Sequence, residues 1–281
     1  MPPAPRALAP RLSAPAPAVA RLPAKQFSVA PWTGAQEGKK VLIYAPPKMG
    51  KTTLASMAPD PVFIGSDDGG RLVRHPHTGQ PVLYVPGIET FNDLRAVLQS
   101  DIFDPHKSVV FDTVTDIQRR WVEPWLLANI PTEKGQKVTN VEAYGWGKGY
   151  RHVYDTMHFI LSDCERLVRQ GKNIIFLCQA AVMKETTGTE DYVKDGPDLQ
   201  HNNQWSTRGA YLAWVDHIFR INWENASVEK KKITPTTSRV INVHADATFH
   251  GGSRTLPADC ANVTFTDPKD DSIWQLLFGG E

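Results

Sequence analysis

The chain has 281 residues, 41% of them hydrophobic, which allows one large domain or two small ones with a sizeable core. Its 31 basic and 30 acidic residues nearly cancel, which excludes recognition of a polyanion by overall charge and leaves only local basic surface. No apolar run approaches the length of a membrane span, and three widely spaced cysteines predict reduced thiols in a cytoplasmic protein rather than a disulfide or zinc site.

Residues 1–36 differ from the rest, because they are rich in Pro and Ala and contain no acidic residue. Proline at this density opposes helix formation and few side chains are available to bury, so we predict a disordered tail. A transit peptide shares the basic composition, but the prolines oppose the amphipathic helix that it needs. The basic residues of the tail suit weak contact with a phosphate backbone: Arg6, Arg11, Arg21 and Lys25.

From Lys39 onward, short β-rich runs alternate with amphipathic helices. We predict strands at residues 39–45, 61–66, 81–87, 108–115 and 173–182, and helices at 50–58, 90–100, 116–130 and 150–170. The last helix is the clearest, since its apolar residues recur at steps of three and four, whereas Pro124 interrupts the helix before it. Fully apolar strands alternating with helices indicate a mostly parallel sheet covered on both faces.

The pattern changes after residue 184. A long polar segment, 184–208, is followed by a helix that leads into a strand at 210–223, and residues 230–245 and 247–259 predict antiparallel strands and a hairpin. The predicted fold is therefore α/β, with a mostly parallel central sheet, helices on both faces and antiparallel strands at the C-terminal edge. We assign residues 37–281 to this one domain.

The run "VLIYAPPKMGKTTLA" at residues 41–55 matches a phosphate-binding loop between a strand and a helix. Lys51 would reach the β- and γ-phosphates of a nucleotide, and Thr52 would offer its hydroxyl to Mg²⁺. Ala45 stands where the motif has its first glycine, and a small residue can serve there if its φ stays negative. The alternative is a chance GKT sequence in a loop. The predicted nucleotide-binding residues are Ala45, Pro46, Pro47, Lys48, Met49, Gly50, Lys51, Thr52 and Thr53.

Three polar residues follow other predicted strands. Asp112, at the end of "SVVFD", would hold the Mg²⁺ shell together with Thr52, or alternatively cap a helix. Asp68, beside Asp67 in "FIGSDDGG", would polarise the attacking water, or alternatively form an Asp-Gly turn. Gln179, after "FLC", would sense the γ-phosphate, or alternatively act as a cap.

These motifs, in order over residues 39–257, resemble RecA-like P-loop ATPases. More narrowly, they resemble the phage-encoded, AAA-type group linked to single-strand annealing and recombination. The matching runs are "YAPPKMGKTTLA", "VFIGSDDGG", "SVVFDTVT", "YGWGKGYRHVYDTM", "NIIFLCQA" and "SRTLP". The resemblance implies binding of ATP and Mg²⁺, assembly into rings or filaments, single-stranded DNA binding by mobile loops, and a bacterial host cytoplasm. A single-strand-binding protein is a further candidate partner, through the tail.

Three positions qualify this resemblance. The group usually has glutamate where Asp68 stands, so hydrolysis is expected to be slow. It often has histidine where Gln179 stands, although RecA itself uses a glutamine near this place. Arg254 in "GGSRTLP" matches a basic residue that would act on the γ-phosphate of a neighbouring subunit, with Lys231 and Lys232 as rivals.

Single-stranded DNA binding requires cations for phosphates and aromatic faces for bases. The glycine-rich run at residues 144–151 and the polar segment at 184–208 offer both, and the predicted DNA-binding residues are Trp146, Lys148, Tyr150, Arg151, Trp205 and Arg208. The alternatives are a Trp146 packed in the core and a polar segment that serves as a solvated lid or subunit contact.

Three functions fit these predictions. The first is a DNA-dependent ATPase, the second is a nucleotide-gated DNA-binding module with little turnover, and the third is a P-loop kinase. A kinase needs an arginine-rich lid over its acceptor, whereas the segment at 184–208 contains only Arg208.

Overall fold

A computed structural model describes residues 28–29, 31, 36–65, 68–187, 190–202, 204–224, 228–229, 232–233 and 238–279. Inter-residue contacts divide the chain into residues 1–35 and residues 36–281. The tail predicted at residues 1–36 lies almost entirely outside the described residues and stays a prediction.

The second of these units is built on a ten-stranded mixed sheet. Its strands are β1 (Lys40–Ala45), β2 (Pro61–Ile64), β3 (Leu83–Tyr84), β4 (Ser108–Asp112), β5 (Asn173–Thr187), β6 (Glu190–Pro197), β7 (His217–Trp223), β10 (Arg239–Asn242), β11 (Gly252–Ser253) and β12 (Val263–Phe265). The order is β12-β10-β7-β1-β5-β4-β2-β3, with β11 paired to β7 and β6 paired to β5. Two further strands, β8 (Val228–Glu229) and β9 (Lys232–Ile233), pair with each other.

Helices cover the sheet. They are α1 (Lys51–Ala55), α2 (Phe91–Leu98), α3 (Val114–Ile117), α4 (Glu123–Asn129), α5 (Lys148–Arg169), α6 (Thr207–Trp214) and α7 (Ser272–Phe278). Short 3-10 turns occupy Asp68–Leu72 and Glu142–Tyr144, and a π-helical turn occupies Gln118–Val122. Within the described ranges, no helix is long and apolar enough to cross a bilayer.

Two hydrophobic cores lie on opposite faces of the sheet because side chains alternate along each strand. On β1, Leu42 and Tyr44 join the core formed with α2 to α6, whereas Val41 and Ile43 join the core formed with α1 and α7. Strands β1 and β4 run parallel to β5, while β7 runs parallel to β1 and β2 runs parallel to β4. Strands β10 and β11 pair antiparallel with β7, and β12 pairs antiparallel with β10. The predicted fold class is confirmed.

The sheet also determines where polar residues meet. Because β1, β2, β4 and β5 are parallel, their carboxyl ends reach one edge of the sheet. Strand β5 lies between β1 and β4, so Gln179 pairs in register with Ala45 on one side, while Leu177 pairs with Asp112 on the other. The predicted metal and phosphate residues are therefore neighbours across three adjacent strands.

Two elements differ from the prediction. The sequence predicts that the fifth strand ends at residue 182, whereas β5 continues to Thr187 and forms an antiparallel hairpin with β6. The polar segment thus begins as a strand pair, which we call the hairpin arm (residues 180–197). Around Pro124 the helix is not broken, because a π-helical turn precedes α4 and proline, which lacks an N–H, occupies its second position.

Candidate functional site at the carboxyl edge of the sheet

The loop between β1 and α1 forms without a glycine at its start. Ala45 is the last residue of β1, buried and paired with Gln179, and it does not have a positive φ. The left-handed conformations fall later, at Lys48 with φ 64° and Gly50 with φ 88°. A regular strand residue tolerates a methyl side chain, which explains why alanine can replace glycine at the first position.

Lys51 lies under this loop with its ammonium group directed back into it. Nζ donates to the carbonyl oxygens of Ala45 at 2.9 Å and Pro46 at 3.1 Å, and to Oε1 of Gln179 at 3.1 Å. Burial lowers the pKa of Lys51, and the nearby Asp112 carboxylate opposes that shift. All three hydrogen-bond acceptors are neutral, so a phosphate oxygen would be a stronger partner for this cation.

The predicted magnesium residues are in direct contact. Oγ1 of Thr52 donates to Oδ2 of Asp112 at 2.7 Å, and Asp112 is almost fully buried. A hydroxyl and a carboxylate are the hard oxygen donors that Mg²⁺ prefers, and Mg²⁺ commonly takes one or two such groups and completes its shell with phosphates and water. Among the described residues, no group of three or more His, Cys, Asp or Glu could hold a metal ion.

Gln179 contacts both Lys51 and the start of α3. Its side chain contacts Lys51, and its backbone N–H donates to Oγ1 of Thr115 at 3.1 Å, just beyond β4. The hairpin arm begins at the next residue. Gln179 therefore lies between the phosphate loop, the start of α3 and the hairpin arm.

Asp68 begins the 3-10 turn after β2, at the same edge of the sheet, but its side chain and Asp67 lie outside the described part. At the end of β2, a Cβ on Gly65 would come within 2.0 Å of the Asp112 carbonyl oxygen, so glycine is required there. The catalytic role of Asp68 stays a prediction.

Arg254 lies at the opposite edge of the sheet. It follows β11, which pairs with the first residues of β7, and its guanidinium donates to Asp216 at 2.7 Å and to the Ala213 carbonyl at 2.7 Å. It is more than half exposed. Arg254 is therefore remote from the phosphate loop of its own chain, and Lys231 and the Lys232 side chain lie outside the described residues.

The glycine-rich run before α5 exposes its aromatic residue. Trp146 is 97% exposed at φ 51°, between Gly145 and Gly147, so the alternative of a core tryptophan is wrong. It lines an open depression of about 680 Å³ together with Lys148 and Arg151. This surface can offer a base-stacking face beside cations.

The cations in this region have partners. Lys148 pairs with Glu133 at 2.6 Å, and Arg151 pairs with Asp155 at 3.5 Å while its guanidinium lies 5.0 Å from the Trp205 ring centroid. These acidic neighbours reduce the local positive potential.

The two remaining DNA-binding candidates differ in exposure. The hydroxyl of Tyr150 is within 3.2 Å of Glu142, and the side chain is half-buried against the core. Arg208 does not fit the predicted role, because it is 1% exposed and lies beneath Gly196 of β6. A buried guanidinium cannot meet a DNA phosphate, so that prediction is wrong.

One residue beside the loop has no counterpart among the predictions. Arg239, the first residue of β10, donates from Nη1 to the Met49 carbonyl at 2.9 Å. No motif marks it, because this contact joins positions 190 residues apart. The only available sequence signal is an arginine at the start of a predicted strand, here β10, which pairs with β7.

Comparisons with a family profile and with solved structures each found a similarity. The profile of the family described as "AAA domain" matches residues 37–255. Among solved structures, a KaiC-like protein from the hyperthermophilic archaeon Pyrococcus horikoshii OT3 is similar at 12% identity and a TM-score of 0.46, covering 83% of this chain and 88% of its own. No curated protein matches the sequence.

Proposed function

Because the chain belongs to the AAA domain family and has a RecA-like P-loop fold, we propose that it binds ATP with Mg²⁺ at the loop Pro46–Gly50 and hydrolyses it. The observation that carries this proposal is the pairing of Lys51 with Gln179 and of Thr52 with Asp112 at one edge of the sheet. Charge, hydroxyl and carboxylate are then placed as phosphoryl transfer requires.

Each residue has a distinct role in this proposal. The Lys51 ammonium exchanges its carbonyl partners for phosphate oxygens, which are stronger charge-assisted acceptors. Thr52 and Asp112 hold Mg²⁺, which supplies neutralisation of charge on the phosphates when it is bound. Asp68 orients the attacking water with a side chain one methylene shorter than glutamate, so turnover is slow. When the nucleotide binds, the Gln179 side chain leaves Lys51 and contacts the γ-phosphate, and this change moves the hairpin arm, which begins at the next residue.

We further propose that single-stranded DNA is the partner that ATP binding controls. The support is the exposed Trp146 with Lys148 and Arg151 beside it, and Trp205 stacked under Arg151. Helix α5 leads into β5 at the far edge of the sheet, so its start lies at the edge that carries the phosphate loop. Its 22 residues span about 33 Å, more than the seven residues of β5 up to Gln179, at about 23 Å.

The wider setting follows from the sequence resemblance. We propose a phage protein of homologous recombination or single-strand annealing that works in the bacterial host cytoplasm as a ring or filament. Arg254 then acts on the γ-phosphate held by a neighbouring copy. The tail of residues 1–36 is the segment available to recruit a single-strand-binding protein.

ATP hydrolysis measured with and without single-stranded DNA tests this function. Stimulation by DNA supports the ATPase. Nucleotide-dependent DNA binding without turnover supports the alternative, a gated binding module, which the shorter Asp68 favours. Absence of any DNA response, together with phosphate transfer to a small acceptor, would leave a P-loop kinase as the function.

The variant Lys51→Ala tests the proposed ATP site directly. We expect it to abolish ATP binding in a calorimetric titration, because it removes the cation that meets the β- and γ-phosphates. Lys107→Ala is the matched control, since Lys107 is an exposed lysine at the opposite edge of the sheet, beside the start of β4. Equal ATP affinity of the Lys51→Ala variant and the control would contradict the proposed site.

A further inference from the structure

A second concavity opens beside the phosphate loop, on the side away from the metal residues. It has a volume of about 220 Å³ and is lined by Gly50 and Thr53 on one wall and by Arg239, Phe265, Pro268 and Asp270 on the other. The second wall belongs to β10, β12 and the segment after β12. In the sheet these strands lie beyond β7, on the opposite side of β1 from β4 and Asp112.

Arg239 forms the centre of this second wall. Its guanidinium lies 5.2 Å from the centroid of the Phe265 ring, and Nη1 donates to the Met49 carbonyl at 2.9 Å. A Cβ on Gly50 would come within 2.5 Å of Nη1, so the guanidinium is in contact with the loop itself. Nε is buried with no hydrogen-bond partner, and no carboxylate among the described residues pairs with Arg239. The result is a planar cation beside the phosphate loop that makes no close ion pair with a described residue, although Asp270 lines the same cleft.

The direction of a bound nucleotide follows from the loop. Lys51 and Thr52 turn toward Gln179 and Asp112, which places the β- and γ-phosphates on that side. The backbone of the loop would cradle the phosphates nearer the nucleoside, so the ribose and base would leave on the other side, toward Thr53. Thr53 lines the cleft.

We propose that this cleft takes the base of the bound nucleotide, with its ring stacked on the Arg239–Phe265 pair. This inference rests on the proposed function, because it assumes a nucleotide in the loop. Guanidinium groups stack on aromatic faces through cation–π attraction, and a purine offers a larger face than a pyrimidine. The pair therefore makes the site select a purine nucleoside triphosphate over a bare polyphosphate.

Calorimetric titrations with MgATP and with magnesium tripolyphosphate test the proposal. Arg239→Met keeps a long side chain over Phe265 but removes the guanidinium. We expect its ATP affinity to fall about tenfold and its tripolyphosphate affinity to change by less than about twofold. Arg169→Met is the matched control, because Arg169 is an exposed arginine at the far end of α5, and both its affinities should equal those of the native protein.

Two results of these titrations would overturn the proposal. An equal fall for both ligands would show that Arg239 acts only on the loop, through Met49. No change for either ligand would show that the base lies elsewhere. If the native protein bound neither ligand, the phosphate site itself would fail, and the proposed function with it.

A second measurement uses the unaltered protein and so does not depend on the folding of a variant. Photolabelling with 8-azidoadenosine triphosphate should modify the tryptic peptide at residues 255–269, which contains Phe265 and Pro268, and excess ATP should prevent it. Label that ATP displaces but that lies only on other peptides would overturn the base assignment while leaving ATP binding intact.

Discussion

At the scale of single residues, the phosphate loop takes its shape from two late positions. The left-handed turns fall at Lys48 and Gly50, and Ala45 only completes the strand. Ala45 is fully buried in the core shared by β1 and α1. The alanine is thus part of the packing, and we expect ATP binding not to need a glycine at this position.

Ala45→Gly tests this interpretation. We expect ATP affinity to stay unchanged, because no positive φ is needed at this position. The free energy of unfolding should fall by about 1 kcal/mol, since glycine gains more chain entropy on unfolding and leaves a methyl-sized gap. Urea unfolding monitored by circular dichroism and an ATP titration give the two values. A clear gain in ATP affinity would contradict the role assigned to Ala45.

The sequence could predict Lys51, Thr52 and Asp112, because a motif and the end of an apolar strand mark them. It could not predict Arg239, whose contact with the loop depends on how the last strands pair. The sequence predicts Arg208 as a DNA-binding residue of the polar segment, whereas its burial beneath β6 is visible only in the folded chain, because arginine is rarely fully buried.

At the scale of elements, the start of α5 combines an exposed aromatic residue with two hinge-like glycines. Gly145 and Gly147 both have positive φ, and Trp146 between them has no side-chain burial to lose. A tryptophan presented in this way has solvent on both faces of its ring. It is the residue of this loop best placed to stack on an unpaired base.

Trp146→Ala should therefore weaken single-stranded DNA binding by roughly 1 to 3 kcal/mol, about fivefold to 150-fold, without loss of ATP binding. Fluorescence anisotropy of a labelled oligonucleotide measures the effect. Phe159→Ala is the matched control, because Phe159 is a half-exposed aromatic residue farther along the same helix. Equal DNA affinity of the two variants would exclude Trp146 from the interface.

Elements with a strong burial pattern in their sequence could be predicted well. Strand β4 is buried at every position, and α5 repeats its apolar residues every three or four positions. The hairpin arm has neither signal, because Val182 and Val193 are exposed among Lys, Glu and Asp. A strand pair that leaves the sheet has no buried face to impose alternation, so its sequence resembles a polar loop.

At the scale of the whole molecule, the predicted catalytic residues Lys51 and Arg254 lie at opposite edges of the sheet. Asp216, which holds Arg254, donates its backbone N–H to Lys40 at the start of β1, whereas Ala45 at the end of β1 meets Lys51. The strand between them spans about 17 Å. One copy of the chain cannot bring Arg254 to its own γ-phosphate, so the role proposed for Arg254 requires assembly.

Mixing two inactive variants tests this requirement. Lys51→Ala lacks the phosphate cation but keeps Arg254, and Arg254→Ala keeps the phosphate loop. Each alone should hydrolyse ATP at least about tenfold more slowly than the native protein, and an equimolar mixture should recover part of the rate through mixed interfaces. Light scattering with ATP and DNA added in turn reports the assembly. No recovery in a mixture that does assemble would contradict the role of Arg254.

Strand β5 has one part inside the central sheet and one part that pairs only with β6 in the hairpin arm. Its first seven residues pair with β1, with β4 or with both, and the remaining eight, after Gln179, span about 26 Å in the hairpin arm. The base of the arm is fastened by Tyr44, whose hydroxyl bonds the Asp195 carbonyl at 3.2 Å, and by Arg220, which pairs with the Asp195 carboxylate at 2.6 Å. Gln179 therefore lies at the junction between the part of β5 inside the sheet and the hairpin arm. A tilt of about 5° at Gln179 would displace Thr187, the last residue of β5, by about 2 Å, so under the proposed function a small movement at the phosphate loop would be larger at the far end of the strand.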